Sequence, residues 1–319
     1  MRKNRAIEGL RRGTILIILL YHIFDRFSQL YLKSSIKLMD LRGTFGVCIF
    51  FIISCWFLLD FDKEHGDFSL KNFLIKKIKR LWPIYVISLL IIFIVTHICY
   101  LPKRMCAFLY LILNILFLNG FVGTSYVDGA HWYLTVLISF IILVGLGKKY
   151  KLYKIPLFYI VCLLINFIAY KLHIIFIFNL FSGNYISYLC LIAGVKGLMF
   201  NKRNMQWLFV IFISLTSMIL KNGIINIIVF IIAFILFLFC LNEKLKIFQN
   251  KYLFIIGELS YPLYLIHQNI SFEIEYLMLD HLGYYSFLFG VVAIIVSFLL
   301  VILLNKIDVT IHKNFLKNF

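Results

Sequence analysis

Long continuous apolar runs alternate with short polar loops along the whole chain. They fall at approximately 13–32, 45–60, 82–101, 105–121, 131–147, 155–175, 183–200, 206–221, 223–241, 252–272 and 285–305. Each is close to the ~20 residues that carry an α-helix across roughly 30 Å of hydrocarbon. They lack the short alternating segments of a membrane β-barrel, so the pattern predicts an all-α polytopic membrane protein. Loop charges then test the count of eleven. The N-terminus, the 61–81 loop, the KKYKLYK loop, the NKRN loop, the 242–251 loop and the C-terminal tail are all basic. The positive-inside rule places such loops in the cytoplasm. The 33–44 loop carries Lys33, Lys37 and Arg42, but alternation puts it outside. The 273–283 connection holds Glu273, Glu275 and Asp280 without Lys or Arg, and 119–130 holds Asp128 alone, so both suit the outer side.

Parity fails only between residues 82 and 121. The break at Leu101-Pro102-Lys103-Arg104 makes one of the two runs there a broken or half-penetrating helix. Such backbone is tolerated at membrane depth only inside protein or beside a wet cavity. The expectation is a bundle of about ten transmembrane helices in the plasma membrane, both termini cytoplasmic.

Composition agrees. The 319-residue chain is 63% hydrophobic, with a mean hydropathy of +0.96, far outside the range of soluble domains. No polar block exceeds a loop, so a single transmembrane domain over 1–319 with no appended soluble domain is expected. No cleavage site follows the first run, which is therefore read as a retained helix. The net charge of +18 sits in short loops between apolar runs. That distribution argues against nucleic acid and follows the positive-inside rule, with anionic lipid head groups or an anionic cofactor as further partners for some of the charges. The seven cysteines show no CxxC or Cys/His ligand spacing, so packing rather than metal binding is expected of them. No internal repeat or inverted pair of interrupted helices marks a secondary transporter.

Chemistry enters through polar residues that a membrane makes expensive. In IEGLRRGTILIILLYHIF, Arg11 and His22 are eleven residues apart. At ~100° per residue that is three turns plus about 20°, so both project the same way, roughly 16 Å apart along the axis. With Arg11 at the membrane edge, His22 lies near mid-bilayer, where an ionisable group costs about 3 kcal/mol or more. A topology-setting charge and a neutral core imidazole are the ordinary accounts of the two. Histidine also suits proton transfer or transient acyl capture, its unperturbed pKa being about 6.5.

A second cluster, Lys76, Lys77, Lys79 and Arg80, precedes Trp82 and Pro83 at the cytoplasmic start of a helix. Positive-inside bias explains it, and so does a phosphate clamp near a helix N-terminus. His131 and Trp132 open a further helix. Later, Ser260, Tyr261, Tyr264 and His267 stand at i, i+1, i+4 and i+7 of an apolar helix, with Ser260, Tyr264 and His267 on one face. Interhelical hydrogen bonding or a shared polar cavity accounts for them.

Together these strings resemble the acyltransferase 3 superfamily of membrane O-acyltransferases. The Arg, ten residues and a His of its first helix are matched by Arg11 and His22, introduced by Glu8-Gly9-Leu10. Its Gly-Val-x-x-Phe-Phe-x-x-Ser-Gly string is followed from Gly46 to Ser54, until Cys55 replaces the Gly. Its Arg-x-x-Arg-Ile-x-Pro string is similar to Lys77–Pro83, and its Ser-Tyr-x-x-Tyr-Leu-x-His string to Ser260–His267. Leu137 stands where many members carry a Glu, and His131-Trp132-Tyr133-Leu134 is closer to a subgroup that lacks it. Lys77 in place of Arg also lacks the planar bidentate fork.

The resemblance implies transfer of an acyl group, usually acetyl, from cytoplasmic acyl-CoA to a hydroxyl of an envelope glycan or its lipid-linked precursor. Acetyl-CoA would be co-substrate, with no metal or prosthetic group. His22 would be general base or transient acyl carrier, and Arg11 would neutralise CoA phosphates or orient the chain. Lys77 and Arg80 would meet the CoA, while His131, Trp132, Ser260, Tyr261, Tyr264 and His267 would line the cavity. The outer acids at Asp128, Glu273, Glu275 and Asp280 would repel CoA and admit a neutral sugar. A polysaccharide or lipid flippase, and a non-catalytic scaffold, are the competing classes.

Overall fold

The computed structural model describes residues 4–33, 40–61, 68–201 and 204–317. The first helix begins where an Asn can cap it. The Asn4 side-chain oxygen accepts the Ile7 N–H (3.0 Å), while its Nδ2 donates to the Leu241 carbonyl (2.9 Å). Helix α1 (Arg5–Leu20) then runs unbroken into π-helical turns at Tyr21–Arg26 and Ser28–Leu32. After it come α2 (Asp40–Leu58), α3 (Leu70–Ile98), the short α4 (Phe108–Ile115) and α5 (Asn119–Val122), and α6 (Trp132–Lys149). The second half holds α7 (Pro156–Lys171), the short α8 (Ile175–Leu180), α9 (Ile186–Phe200), α10 (Gln206–Asn222), α11 (Ile224–Leu241), α12 (Lys251–Leu282) and α13 (Phe287–Lys317).

Side chains at the helix ends set the alternation. At one end Asn4 meets Leu241, Lys148 pairs with Asp60, and Lys196 Nζ donates to the Trp56 carbonyl (3.0 Å). At the other, the Tyr31 hydroxyl donates to the Pro102 carbonyl (3.0 Å), and Asn222 Nδ2 donates to the Asn184 carbonyl (3.4 Å). The start of α1 and the ends of α2, α6, α9 and α11 therefore share one end. Ten of the described helices have fifteen residues or more, and six spans among the described residues are long and apolar enough to cross a membrane. Many of their outward side chains are exposed and apolar, among them Phe212, Leu220, Ile232 and Leu303, as lipid contact requires. The protein is an all-helical polytopic membrane bundle.

The eleventh run does not cross. Residues 105–121 form only α4 and α5, joined through Phe117 at φ 57°. The Trp82 indole N–H donates to the Ile115 carbonyl (2.9 Å), and Phe117 stacks on Tyr85 at 4.5 Å. The buried Asn114 donates to the Ser125 carbonyl (3.0 Å) and accepts the Val127 N–H (3.3 Å). Irregular backbone inside the bundle is thus paired with protein groups.

Of the expected outer acidic fringe only Asp280 is exposed. Helix α12 continues through Glu273 and Glu275 to Leu282, and both carboxylates are buried, as is Asp128. Hydropathy ended that span at residue 272 because charges lower the average. Glu, Leu and Met are strong helix formers, however, and helical phase turns these acids inward. Helix α1 lies between two apolar clusters, giving Leu10 to one and Ile15, Leu19 and Ile23 to the other.

Candidate functional site

The widening of α1 begins at Tyr21, one residue before His22. Single π turns recur at functional sites, because they re-aim a side chain at the cost of regular hydrogen bonding. The His22 ring meets the His267 ring edge-on, centroids 4.9 Å apart. His267 Nδ1 lies 2.8 Å from the Tyr264 carbonyl. A carbonyl can only accept, so Nδ1 carries the proton and Nε2 keeps its lone pair. That Nε2 is buried and has no partner among the described residues, and the same holds for His22 Nδ1.

The segment before α6 clamps α12 beside this pair. The Asp128 carboxylate accepts the Ala130 N–H (2.8 Å) with one oxygen and the Asn269 N–H (3.0 Å) with the other. Asn269 Nδ2 donates to the Val127 carbonyl at 2.8 Å, and His131 Nε2 donates to the Leu265 carbonyl at 2.8 Å. The Tyr264 hydroxyl donates to the Ala130 carbonyl (2.7 Å), and the Tyr261 hydroxyl to the Leu81 carbonyl (2.9 Å). His131 Nδ1, Gln268 Oε1 and Asn269 Oδ1 are buried with no protein partner. An unmet buried polar group costs about 1–3 kcal/mol. Several around one histidine pair make a polar cluster, the histidine chamber, whose unmet groups a polar occupant would satisfy.

Arg104 closes the chamber on the side away from Arg11. Its guanidinium lies over the Phe272 ring at 5.3 Å, within electrostatic range of His22 and Tyr31. Gly129 leaves room for this: a Cβ there would stand 2.6 Å from Arg104 Nη1 and push the guanidinium aside. Glu273 lies beside the Cys99 thiol and Tyr31 in the same region.

Towards the other end, Arg11 is half-buried, within electrostatic range of Arg80 and Tyr133. The Tyr133 hydroxyl pairs with Ser54 Oγ at 2.9 Å, the last residue of the Gly46–Ser54 string. Arg12 turns away to an ion pair with Glu8 at 2.9 Å. Lys77 Nζ sits 5.6 Å from the Phe73 ring and within range of Arg80 and Lys148. Lys76, Lys79 and Arg80 are exposed.

His22, His131, Tyr264 and His267 are thus brought into one chamber, and Arg11, Lys77 and Arg80 into one cationic group below it. Ser260 is buried two turns from His267 along α12. Trp132 is not in the chamber. It stacks on Tyr185 at 4.7 Å and lines a separate cavity. Arg104, Asp128, Gln268, Asn269 and Tyr133 escaped the sequence reading as site residues. Asp128 two residues before Ala130 is the side-chain cap of a turn, a signal that counting loop charge overlooks. Among the described residues no group of three or more His, Cys, Asp or Glu is placed to hold a metal ion.

The family model described as an acyltransferase domain, of the acyltransferase 3 type, matches residues 4–306. The chain belongs to that family. It is a membrane acyltransferase, and the match spans every residue of the chamber and of the cationic group. No curated protein and no solved structure matches it.

Proposed function

We propose that this acyltransferase is an O-acyltransferase, most simply an O-acetyltransferase. It takes the acyl group from cytoplasmic acyl-CoA and passes it to a hydroxyl of a cell-envelope or exopolysaccharide glycan, or of its lipid-linked precursor. The observation that carries this reading is the His22–His267 contact at 4.9 Å, in line along α1 with Arg11. The protein sits in the plasma membrane with its basic end, and so both termini, in the cytoplasm.

Acyl-CoA is anionic, and Arg11, Arg80 and Lys77 gather cationic charge on the path from that end towards His22. Arg11 and Arg80 take the CoA phosphates, and Lys77 adds a less directional charge. The thioester then reaches His22, roughly 16 Å deeper along α1. His22 removes the proton of the acceptor hydroxyl as its oxygen attacks the thioester carbonyl. The new C–O bond forms, the C–S bond breaks, and the CoA thiolate leaves and is protonated. The open Nε2 of His267 can take up or return a proton while His22 cycles. Capture of the acyl group on His22 itself, followed by transfer to the hydroxyl, uses the same geometry with one further step. Membrane lipid surrounds the bundle and carries a lipid-linked acceptor within it.

Protein in nanodiscs, given radiolabelled acetyl-CoA and a lipid-linked glycan, should release CoA and place a base-labile label on the glycan. Glycan movement across the bilayer without CoA release would instead make the protein a flippase.

A further inference from the structure

Trp132 points away from the histidine chamber into a cavity of about 280 Å³ at the end of the bundle opposite the start of α1. That is near the ~300 Å³ lower bound of small-molecule sites. Its residues come from the α5–α6 connection, α6, α8 and the turn before α9. One wall is aromatic, Trp132 stacked on Tyr185 at an interplanar angle of 24°. The rest is rich in neutral polar groups. The Tyr126 hydroxyl donates to Thr135 Oγ1 (3.0 Å), which leaves the Thr135 proton to donate elsewhere. Asn179 Nδ2 gives one of its two N–H groups to the Gly120 carbonyl (2.7 Å), so the amide keeps a second donor and its Oδ1 acceptor. Asn184 is exposed at the rim. Ser182 is 1% exposed, lines the cavity, and its hydroxyl has no partner among the described residues. Gly120 keeps the floor open, since a Cβ there would lie 2.2 Å from Thr135 Oγ1. The lining has no Lys, Arg, Asp or Glu.

We infer that this cavity is a binding site for one neutral pyranose ring of a glycan, distinct from the chamber where acyl transfer occurs. An aromatic plane takes the C–H face of a sugar, while amides and hydroxyls take its equatorial hydroxyls. An uncharged lining offers nothing to CoA phosphates, and the polar wall is unsuited to an acyl tail. Consecutive residues divide the two spaces: His131 faces α12 and the histidines, Trp132 faces the sugar cavity. Resting on the proposal that the acceptor is a glycan, the site holds a sugar unit near the one that is acylated.

Saturation-transfer NMR on the full chain in nanodiscs, without acyl-CoA, tests this. Maltoside detergents must be absent, because their head groups are sugars. The probes are cellobiose, maltose and diacetylchitobiose, up to about 10 mM. At least one should bind, and equally well to His22→Ala protein. Thr135→Val and Asn184→Ala should each weaken it roughly 5-fold, the worth of one hydrogen bond. Asn184 is exposed, so its variant keeps the fold. No binding by any probe overturns the inference, as does binding unchanged in the double variant, or displacement of the sugar by a fatty acid. A silent cavity in an active transferase would sink this inference alone. Sugar binding without acyl transfer would sink only the transferase reading.

Discussion

Two polar regions lie along α1, and they hold their polarity in opposite ways. Around Arg11 the groups are full charges on long side chains: Arg80 is exposed and Lys77 half-buried. Around His22 most groups are rings, amides and hydroxyls, joined by the Asp128 carboxylate and the Arg104 guanidinium; most are buried, and several are fixed by backbone carbonyls or N–H groups at 2.7–3.0 Å. The first region acts through Coulomb attraction, which reaches about a Debye length and tolerates loose geometry. The second depends on which nitrogen holds a proton, and that needs exact neighbours. In the proposed reaction, attraction of the anionic donor falls to the one region and proton transfer to the other.

Breaking either region should therefore give a different kinetic signature. His22→Ala should lower kcat for acyl transfer by about 100-fold or more, the low end of general acid–base contributions. Membrane abundance of the variant should equal wild type, and near-normal turnover would remove His22 from the chemistry. Asp128→Asn exchanges one carboxylate acceptor for an amide N–H₂. The loss of one buried bond to Ala130 or Asn269 should cost roughly 1–3 kcal/mol of stability. Thermal unfolding would show this as a lower Tm, with the KM for acyl-CoA unchanged. A raised donor KM there would join the two regions that are separated here.

Lys77→Gln and Arg80→Gln should each raise the KM for acyl-CoA about 5-fold with kcat kept, as expected of exposed or half-buried charges. The salt dependence of donor binding should flatten in the double variant. A fall in kcat with constant KM would reduce this cluster to a topology signal. The gentlest test leaves activity intact. Ser125→Cys and Tyr150→Cys, both at exposed positions, should react with an impermeant thiol reagent from outside and inside respectively. Labelling from one side would overturn the cytoplasmic assignment of the basic end.

Much of the frame was legible residue by residue. Run length and continuity determine the helical membrane class, and loop parity together with the 101–104 break determines that one run fails to cross. The shared face of Arg11 and His22 also follows from the chain alone, because the backbone repeat sets the angle between residues on one helix. That repeat says nothing about how neighbouring helices rotate against each other. Packing alone brought His267 to His22, and His131 to the same helix α12 within range of His267, from segments near the end and the middle of the chain. Packing also folded Arg104 and Asp128 in from segments that read as surface loops, and buried Glu273 and Glu275 on a helix longer than its hydropathy. It sent Trp132 to a different cavity from its neighbour His131, since consecutive residues on a helix point about 100° apart. Local pattern fixes what a helix can present; only the close packing of the whole bundle decides what each face meets.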